Sequence, residues 1–436
     1  MRGAGYFLRI ALGLIPFLLI ACAGEEAGTV LRISGSALGA EGEVLTRQVG
    51  RFMAANPGVR VEIQRTPDDA TQRHQLYVQW LNAHVGRPDI LQLDVVWTAE
   101  FAAAGWVLPL DRFQPFTDDF VPATLAANRW QGRLFALPWF ADVGMLYWRT
   151  DLMARAPASL DELARFARAG ISDEVPRGIV WQGARYEGLV TVFLEVLGAF
   201  GGEILTKDGR VAVASPAGVR ALDFLRGQIG SIAPPEVLTW HEEEARFAFQ
   251  NGTSVFLRNW PYAYPLLSDR GKSKVAGKFA VAPMPAAPGG RPSAALGGAQ
   301  LAINAHSRHP DLAWSLIAFL TAPEQMLERA KVVGQYPPRR SLWSDPRLAE
   351  ALGVPPGTLS DIRGIVDAAI PRPVTPVYSE LSEALQIHLH RALSGQVSSE
   401  EALRQAAREM KAILLQSGLP PSPGWAGGDG RGGPRG

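Results

Sequence analysis

"VRVEIQRTPDDATQRHQLYVQWLNAHVGRPDILQLDVV", residues 59–96, is the stretch from which the fold of this chain is predicted. VRVEIQ (59–64) alternates apolar and polar residues, as a half-buried strand does. A helical stretch follows over 70–86, and PDILQLDVV (88–96) is an apolar strand. The stretch therefore predicts a strand–helix–strand unit.

The residues before this unit repeat the pattern. TVLRIS (29–34) is a short β-branched run, and a helix is predicted over 43–56. The apolar face of that helix comprises Val44, Leu45, Val49, Phe52 and Met53. The resulting β-α-β-α-β order implies a parallel sheet covered by helices, in which ligands bind beyond the carboxyl ends of the strands. Asp94, at the end of the third strand, is the first candidate binding residue.

Later segments predict a second domain. GRLFALPWFADVGMLYWRTDLM (132–153) is interrupted by Pro138 and predicts a strand that leaves one domain and enters another. After a helical middle, strands are predicted within 255–260 and 278–285. LAINAHS (301–307) resumes strand character after a Pro/Gly-rich stretch, which indicates a return crossing.

Two helices are predicted near the end of the chain, over 378–393 and 398–416. The second begins with the S-x-x-E pattern of Ser398 and Glu401. His388 and His390 are two residues apart and point to different faces of the first helix, so a shared metal is not expected. Both are expected on a solvated surface.

Charge and motifs exclude several classes of function. A net charge of +1 without a basic block argues against a nucleic-acid partner. The sequence contains no G-x-S-x-G, Walker, G-x-G-x-x-G or H-E-x-x-H motif, and we expect no catalysis, no cofactor and no metal site. A secreted glycoside hydrolase stays open as an alternative, because such enzymes assemble their carboxylate pair from distant strands.

The amino terminus predicts export. Arg2 and Arg9 precede an apolar run of about 11 residues, the pattern of a secretory signal peptide over 1–21. The run ends at Ala21 and Cys22, the only cysteine of the chain. Leu19-Ile20-Ala21-Cys22 resembles the bacterial lipobox, which implies acylation of Cys22 and a tether over 22–28. The alternative is an ordinary signal peptide with an incidental cysteine. Residues 418–436 are rich in Pro and Gly and are expected to be disordered.

Five blocks in order carry a family resemblance. They are PDILQLDVVWTAEFAAAGWVLPLD (88–111), ALPWFADVGMLYWRTDLM (136–153), VWQGARYEGLVTVFLEVLGAFGG (180–202), FQNGTSVFLRNWPYAY (249–264) and IPRPVTPVYSELSEAL (370–385). Together they resemble the extracellular solute-binding proteins of carbohydrate ABC importers (family 1), in particular the trehalose/maltose-binding branch. The resemblance extends from Thr29 to about Gln416.

This resemblance implies an α/β, two-lobed periplasmic-binding-protein-like fold of the maltose-binding-protein type, with a ligand cleft between the lobes. Crossovers are expected at 138–143, at 281–285 and near Pro337. The N-terminal lobe is then predicted to comprise 29–137 and 285–337, and the C-terminal lobe 138–284 and 338–417.

The resemblance also implies a sugar site. Carboxylates accept and arginines donate paired hydrogen bonds to sugar hydroxyls, while aromatic rings cover the C–H faces. The residues that match the family site are Asp94, Asp142, Arg73, Arg372, Trp260, Tyr262, Glu41, Glu242, Gly297 and Gly298. Glu41 and Glu242 are the weaker matches, and Glu43 is an alternative to Glu41.

One position departs from the family pattern. Relatives carry tryptophan after two glycines where this chain has Ala299, so a second stacking ring is missing. The predicted protein is a monomeric, membrane-anchored receptor, exported to the periplasm or outer surface. It captures an α-linked disaccharide such as trehalose or maltose for an ABC permease. A glycerophosphodiester or a larger oligosaccharide is the alternative ligand.

Overall fold

The described part of the chain contains two main β-sheets. The computed structural model describes residues 28–35, 39–67, 69–354 and 356–418. The strands are β1 Thr29–Gly35, β2 Val59–Arg65, β3 Ile90–Asp94, β4 Arg129–Trp130, β5 Arg133–Leu134, β6 Ala136–Val143, β7 Met145–Arg149, β8 Arg177–Val180, β9 Ser254–Asn259, β10 Phe279–Ala282, β11 Ala294–Ile303 and β12 Ala369–Ile370. The predicted signal peptide, Cys22 and residues 419–436 of the tail lie outside the described residues.

Helices cover both sheets. They are α1 Gly39–Ala55, α2 Ala70–Asn82, α3 Thr98–Ala103, α4 Pro122–Ala126, α5 Leu160–Gly170, α6 Glu187–Ala199, α7 Pro216–Gln228, α8 Glu242–Gln250, α9 Ala263–Ser268, α10 Pro310–Leu320, α11 Pro323–Val333, α12 Pro346–Leu352, α13 Pro356–Asp367, α14 Tyr378–Leu393 and α15 Ser399–Gln416. Short 3₁₀ turns lie at Leu110–Phe113, Pro235–Thr239 and Ser341–Ser344. Among the described residues, none of the helices is both long and apolar enough to cross a bilayer.

The first sheet has the order β2-β1-β3-β11-β12, and β6 also pairs with β11. β1 pairs in parallel with β2 along its whole length, from Thr29 opposite Val59 to Gly35 opposite Arg65, and β3 is parallel to β1. β11 runs antiparallel to both β3 and β6, because it returns from the other lobe. The parallel sheet predicted from the opening strand–helix–strand unit is present.

The second sheet has the order β10-β7-β9-β8. β8 and β9 are parallel, whereas β7 is antiparallel to both β9 and β10. The helix α6 shares a core cluster with this sheet and is buried from Gly188 to Ala199, and its polar residues Glu187, Thr191 and Glu195 lie four residues apart on one face. Burial of each large apolar side chain of such a helix stabilises the folded state by about 1.5–3 kcal/mol.

The connections between the sheets differ from the predicted boundaries. β6 pairs with β11 up to Val143, and Gly144 alone separates it from β7 in the second sheet. The second connection, 283–293, leads from β10 to β11. α12 packs against α11 and the 3₁₀ turn before it, so this part of the chain packs with the N-terminal lobe although the sequence assigned it to the other lobe. We therefore propose that the N-terminal lobe extends to Val143 and includes α12.

The last two helices pack against each other as predicted, with one correction. Ser398 accepts a hydrogen bond from the Glu401 N–H at 3.2 Å and so caps α15. His388, however, is only 8% exposed, and its Nε2 lies 2.9 Å from Glu409 Oε2 of α15. The expectation of a solvated His388 is wrong, because this face of α14 meets α15. His390 Nε2 lies 3.0 Å from the Leu238 carbonyl.

Candidate ligand-binding cleft

Three carboxylates lie at one edge of the first sheet. Asp94 ends β3, Asp142 is the penultimate residue of β6, and Glu41 lies in α1 after β1. These strands all run in the same direction, so their carboxyl ends meet at the edge that faces the second lobe. Asp94 and Asp142 flank β11, opposite Ala299 and Gly297 respectively.

Glu41 is held by a buried arginine. Arg329 of α11 donates to Glu41 Oε1 at 3.1 Å, and its guanidinium carbon lies 3.8 Å from the ring centroid of Trp139. Burial lowers the pKa of Arg329 to about 10, partly offset by Glu41, so it remains a cation at neutral pH. Glu43, the alternative to Glu41, is exposed.

Asp142 lies in a strongly acidic environment. Burial, together with the charges of Glu41 and Asp94, raises the pKa of its carboxyl to about 7, although Arg329 opposes this shift. Its Oδ1 is shut off from solvent and has no hydrogen-bond partner among the described residues. Within the described part of the chain, this oxygen therefore lacks the donor that a buried carboxylate oxygen needs.

Arg372 connects Asp94 to the second lobe. It lies between β12 and α14 with its side chain 3% exposed, donates to Asp94 Oδ1 at 3.0 Å, and donates to Glu187 Oε1 at 2.7 Å. Tyr378 and Ser382 donate to the same Glu187 carboxylate. Burial alone would lower the pKa of Arg372, but Asp94 and Glu187 raise it above its usual range.

The C-terminal lobe contributes an aromatic wall. Trp260 directly follows β9 and donates from Nε1 to Glu242 Oε1 at 3.3 Å, while Tyr262 donates to Glu243 Oε1 at 2.7 Å. Gly297 gives the indole its space, since a Cβ there would lie 3.2 Å from the Trp260 ring and 3.4 Å from the Cβ of Asp142. The predicted residues Glu242, Trp260 and Asp142 are thus brought to one place.

Gly298 and Ala299 shape the same edge. Gly298 has φ of 115°, and a Cβ there would lie 2.2 Å from the Phe140 carbonyl oxygen, so the position requires glycine. Ala299 pairs with Asp94 on one side and Phe140 on the other and is 5% exposed.

Comparison with known proteins establishes the family. The model of the bacterial extracellular solute-binding protein family matches residues 36–327. The chain belongs to this family. A probable ABC transporter-binding protein of Deinococcus radiodurans is 35% identical over 376 residues, which are 83% of this chain and 88% of the relative.

Solved structures agree with this assignment. Maltose-bound MalE3 of T. maritima is 41% identical with a TM-score of 0.83, and the match covers 88% of this chain and all of that one. A solute-binding protein of Thermotoga lettingae bound with α-D-tagatose is 25% identical with a TM-score of 0.79, covering 88% and 99%. The predicted two-lobed fold is confirmed, and the chain is the solute-binding protein of an ABC importer. Its family comprises transport proteins, for which a sugar ligand and permease partners are implied.

Arg73 lies at the rim of this solute-binding protein, in α2 beyond the end of β2. Its Nη1 donates to the Pro67 carbonyl at 2.9 Å, and its guanidinium carbon is 5.3 Å from the Trp97 ring centroid. These contacts lie within the N-terminal lobe.

The lobes of the solute-binding protein also touch at the rim. His74 Nε2 lies 2.8 Å from Glu100 Oε2, and Ser379 at the start of α14 donates to that oxygen at 2.7 Å. His241 Nε2 lies 3.8 Å from Asp69 Oδ2. The lobes are therefore in contact across the cleft.

Two residues of this site were missed from the sequence. Glu187 lies in the quoted block ARYEGLV, but its role depends on Arg372, which is 185 residues away. Arg329 occupies a helix whose other charges are exposed, so no local pattern distinguishes it. The only available signal for Glu187 was its place after the parallel strand β8.

Proposed function

We propose that the chain captures an α-linked disaccharide of the maltose or trehalose type and delivers it to an ABC permease. The observation that carries the proposal is the juxtaposition of the buried Asp142 Oδ1, unpaired among the described residues, and the Trp260 ring across Gly297. A sugar needs both an acceptor for its hydroxyl groups and an aromatic face for its C–H groups. The likeness to a maltose-bound protein at 41% identity supports the same ligand class.

Each predicted residue then has a role. Asp94, Asp142 and Glu41 accept hydrogen bonds from sugar hydroxyls, and Trp260 and Tyr262 cover the C–H faces. Donors come from Arg73 and Arg372, Glu242 orients the indole, and Gly297 and Gly298 allow the ligand to approach the backbone of β11. A charge-assisted hydrogen bond contributes about 1.5–3 kcal/mol, so three of them supply about 4.5–9 kcal/mol, a range that includes the about 8 kcal/mol of micromolar affinity.

The charges of the cleft disfavour an anionic ligand such as a glycerophosphodiester. The charges of the two buried arginines are already balanced, that of Arg329 by Glu41 and that of Arg372 by two carboxylates. A phosphodiester would lie beside Asp142, whose own ionisation is already opposed by Glu41 and Asp94. A neutral, hydroxyl-rich ligand matches this environment.

A monosaccharide is the second candidate. The tagatose-bound relative carries the same fold around a smaller ligand, and this chain has Ala299 where the family pattern has a tryptophan. A larger oligosaccharide would instead fill more of the cleft between the lobes.

We propose further that acylation of Cys22 holds the mature chain on the outer face of the membrane, as a monomer near its permease. The lipobox-like Leu19-Ile20-Ala21-Cys22 supports this placement. Two or more acyl chains give stable anchoring, whereas one chain binds only marginally.

Calorimetric titration with maltose, trehalose, tagatose and a glycerophosphodiester tests the ligand class. We expect micromolar binding of a disaccharide by the wild type and a loss of at least tenfold in Trp260→Ala, with no change in Trp314→Phe, which alters a ring stacked on Phe113 in the N-terminal lobe. Absence of heat with every sugar, from a protein that unfolds cooperatively, would contradict the proposal. Release of reducing sugar during incubation would instead favour the hydrolase.

A further inference from the structure

A fully buried ion pair lies behind the aromatic wall. Glu195 of α6 and Arg258 of β9 have side chains that are 0% and 1% exposed. Arg258 donates from Nε to Glu195 Oε2 at 2.8 Å and from Nη2 to Oε1, and its Nη1 donates to Gln182 Oε1 at 3.1 Å. Because both charges are fully engaged, the removal of either would leave the other uncompensated in the interior.

The Glu195 carboxylate contacts both connections between the lobes. Its Oε1 accepts a hydrogen bond from the Ala295 N–H of β11 at 3.2 Å, just after the second connection. Gly144 forms the first connection, and a Cβ there would lie 1.7 Å from Glu195 Oε1 and 2.5 Å from Arg258 Nη2. Gly144 and Ala295 are themselves linked, since the Gly144 N–H donates to the Ala295 carbonyl at 3.2 Å.

The other end of the pair contacts the aromatic wall. The Arg258 guanidinium carbon lies 4.1 Å from the ring centroid of Trp260, within the range of a cation–π contact. The Trp260 backbone is fixed separately, because Tyr147 donates to its carbonyl at 2.7 Å and its N–H donates to Asn259 Oδ1 at 2.8 Å. The ring itself is held at Nε1 by Glu242 and at its face by the guanidinium, so its orientation depends on both contacts.

We propose that Glu195 and Arg258 are positioning residues that couple the orientation of Trp260 to the two lobe connections, so that ligand stacking and lobe closure occur as one transition. A shift of Ala295 or Gly144 changes the hydrogen bond or the packing at Glu195 Oε1. The two-pronged pairing passes this shift to the rigid guanidinium, and the guanidinium passes it to the indole. The choice of maltose as the probe rests on the proposed function. The contacts between this ion pair and the lobe connections do not depend on which ligand binds.

A purely structural role for the pair predicts a different result. A buried ion pair that only supports the C-terminal lobe would, when altered, lower the stability without changing the distance between the lobes. The distinction therefore requires a measurement of lobe separation beside one of stability.

Spin labels can report this separation, because the chain has a single cysteine. In a Cys22→Ser background, Ala103→Cys on the N-terminal lobe and Lys207→Cys on the C-terminal lobe provide two exposed sites. Pulsed dipolar spectroscopy with and without maltose then gives the distance distributions, and calorimetry gives the affinity. The test variants are Glu195→Gln and Gly144→Ala.

Two controls match these variants. Gly227→Ala adds a methyl group in α7, where nothing lies within 4 Å of the new atom. Leu225→Ala removes buried volume from the same lobe away from the connections and reports the effect of lost stability alone.

We expect Glu195→Gln and Gly144→Ala to shift the ligand-free distance distribution and to weaken maltose binding at least tenfold, with both controls within twofold of the wild type. The inference would be overturned if Gly144→Ala had the same distances between the lobes and the same maltose affinity as the wild type. The same result in a Glu195→Gln protein that folds but has a lowered Tm would also overturn it. If Glu195→Gln does not fold, Gly144→Ala decides. If the wild type binds no sugar, the proposed function fails, while the ligand-free distances still decide the coupling.

Discussion

Asp142 makes sugar binding dependent on pH in a direction that the structure determines. The pKa of its carboxyl is raised to about 7, chiefly by burial and then by Glu41 and Asp94. Without ligand the group is therefore about half protonated at neutral pH. Sugar hydroxyls that donate to Oδ1 favour the carboxylate, so ligand binding releases a proton and the affinity rises with pH.

The magnitude follows from this shift. If the sugar binds only the carboxylate form of Asp142, the Kd increases by up to tenfold for each pH unit below about 7 and is constant above it.

The free energy of unfolding has the opposite dependence on pH. Between pH 3.8 and about 7 the native state keeps a proton that the unfolded state has released, so stability falls as pH rises across this window. At about 1.36 kcal/mol per unit, ionising Asp142 in the native state costs about 4 kcal/mol.

Calorimetric titration of maltose from pH 5.5 to 8.5 in buffers of different ionisation enthalpy measures the Kd and the protons released. Asp142→Asn keeps the shape of the side chain but cannot ionise, so we expect a weaker affinity without this pH dependence and a higher ligand-free stability above pH 7. Asp223→Asn, an exposed change in α7, is the matched control. A background lacking His74 and His241 removes the imidazoles at the rim. A flat wild-type profile, or the same slope in Asp142→Asn, would refute the reasoning.

Three further predictions concern other parts of the chain. Cys22→Ser is expected to move the protein from the membrane fraction to the soluble fraction with maltose affinity unchanged; unaltered fractionation would rule out the lipid anchor. Ala299→Trp is expected to lower maltose affinity at least tenfold by calorimetry, because position 299 is 5% exposed between two strands and has no room for an indole. Unchanged affinity would place it outside the cleft. Asp94→Asn is expected to weaken binding 10- to 100-fold and to lower the free energy of unfolding by about 1–3 kcal/mol, because Arg372 keeps only Glu187 as a charged partner. Retained affinity with lowered stability in denaturant titration would show that Asp94 is only structural.

The N-terminal lobe was largely predictable because its first strands are short β-branched, alternating or apolar runs separated by helical patterns. Residues 59–64 show the period of two directly, and β2 is observed over Val59–Arg65. α6 gives a weaker signal, since apolar residues cover the whole helix except the narrow stripe of Glu187, Thr191 and Glu195. The β4–β5 hairpin depends on Gln131 and Gly132 at positive φ, which strand patterns do not indicate.

The candidate site divides in the same way. Asp94 could be found from the sequence because it ends a predictable strand, and ligands bind at such ends. The partners of Arg372 could not be found, because each lies more than 180 residues away and the contact arises only when the two lobes meet. Local sequence patterns predict helices and strands. Contacts between residues of distant elements can be identified only once the fold is known.

The lobe contacts differ in what they contribute to closure. Rim contacts such as the half-exposed His241 beside Asp69 are screened and contribute about 0–1 kcal/mol each. The buried Arg372 contacts contribute more, because both carboxylates lie close to it in a region with little solvent. A ligand that changes the lobes from 1:99 to 99:1 closed must supply about 5.5 kcal/mol of differential binding. Hydrogen bonds to Asp94 and Asp142 of the N-terminal lobe form with the lobes open or closed, so this differential binding must come from contacts with the other lobe, such as stacking on Trp260. A ligand that reaches only one lobe would bind without closing the cleft, so delivery to a permease selects for ligands long enough to contact both walls.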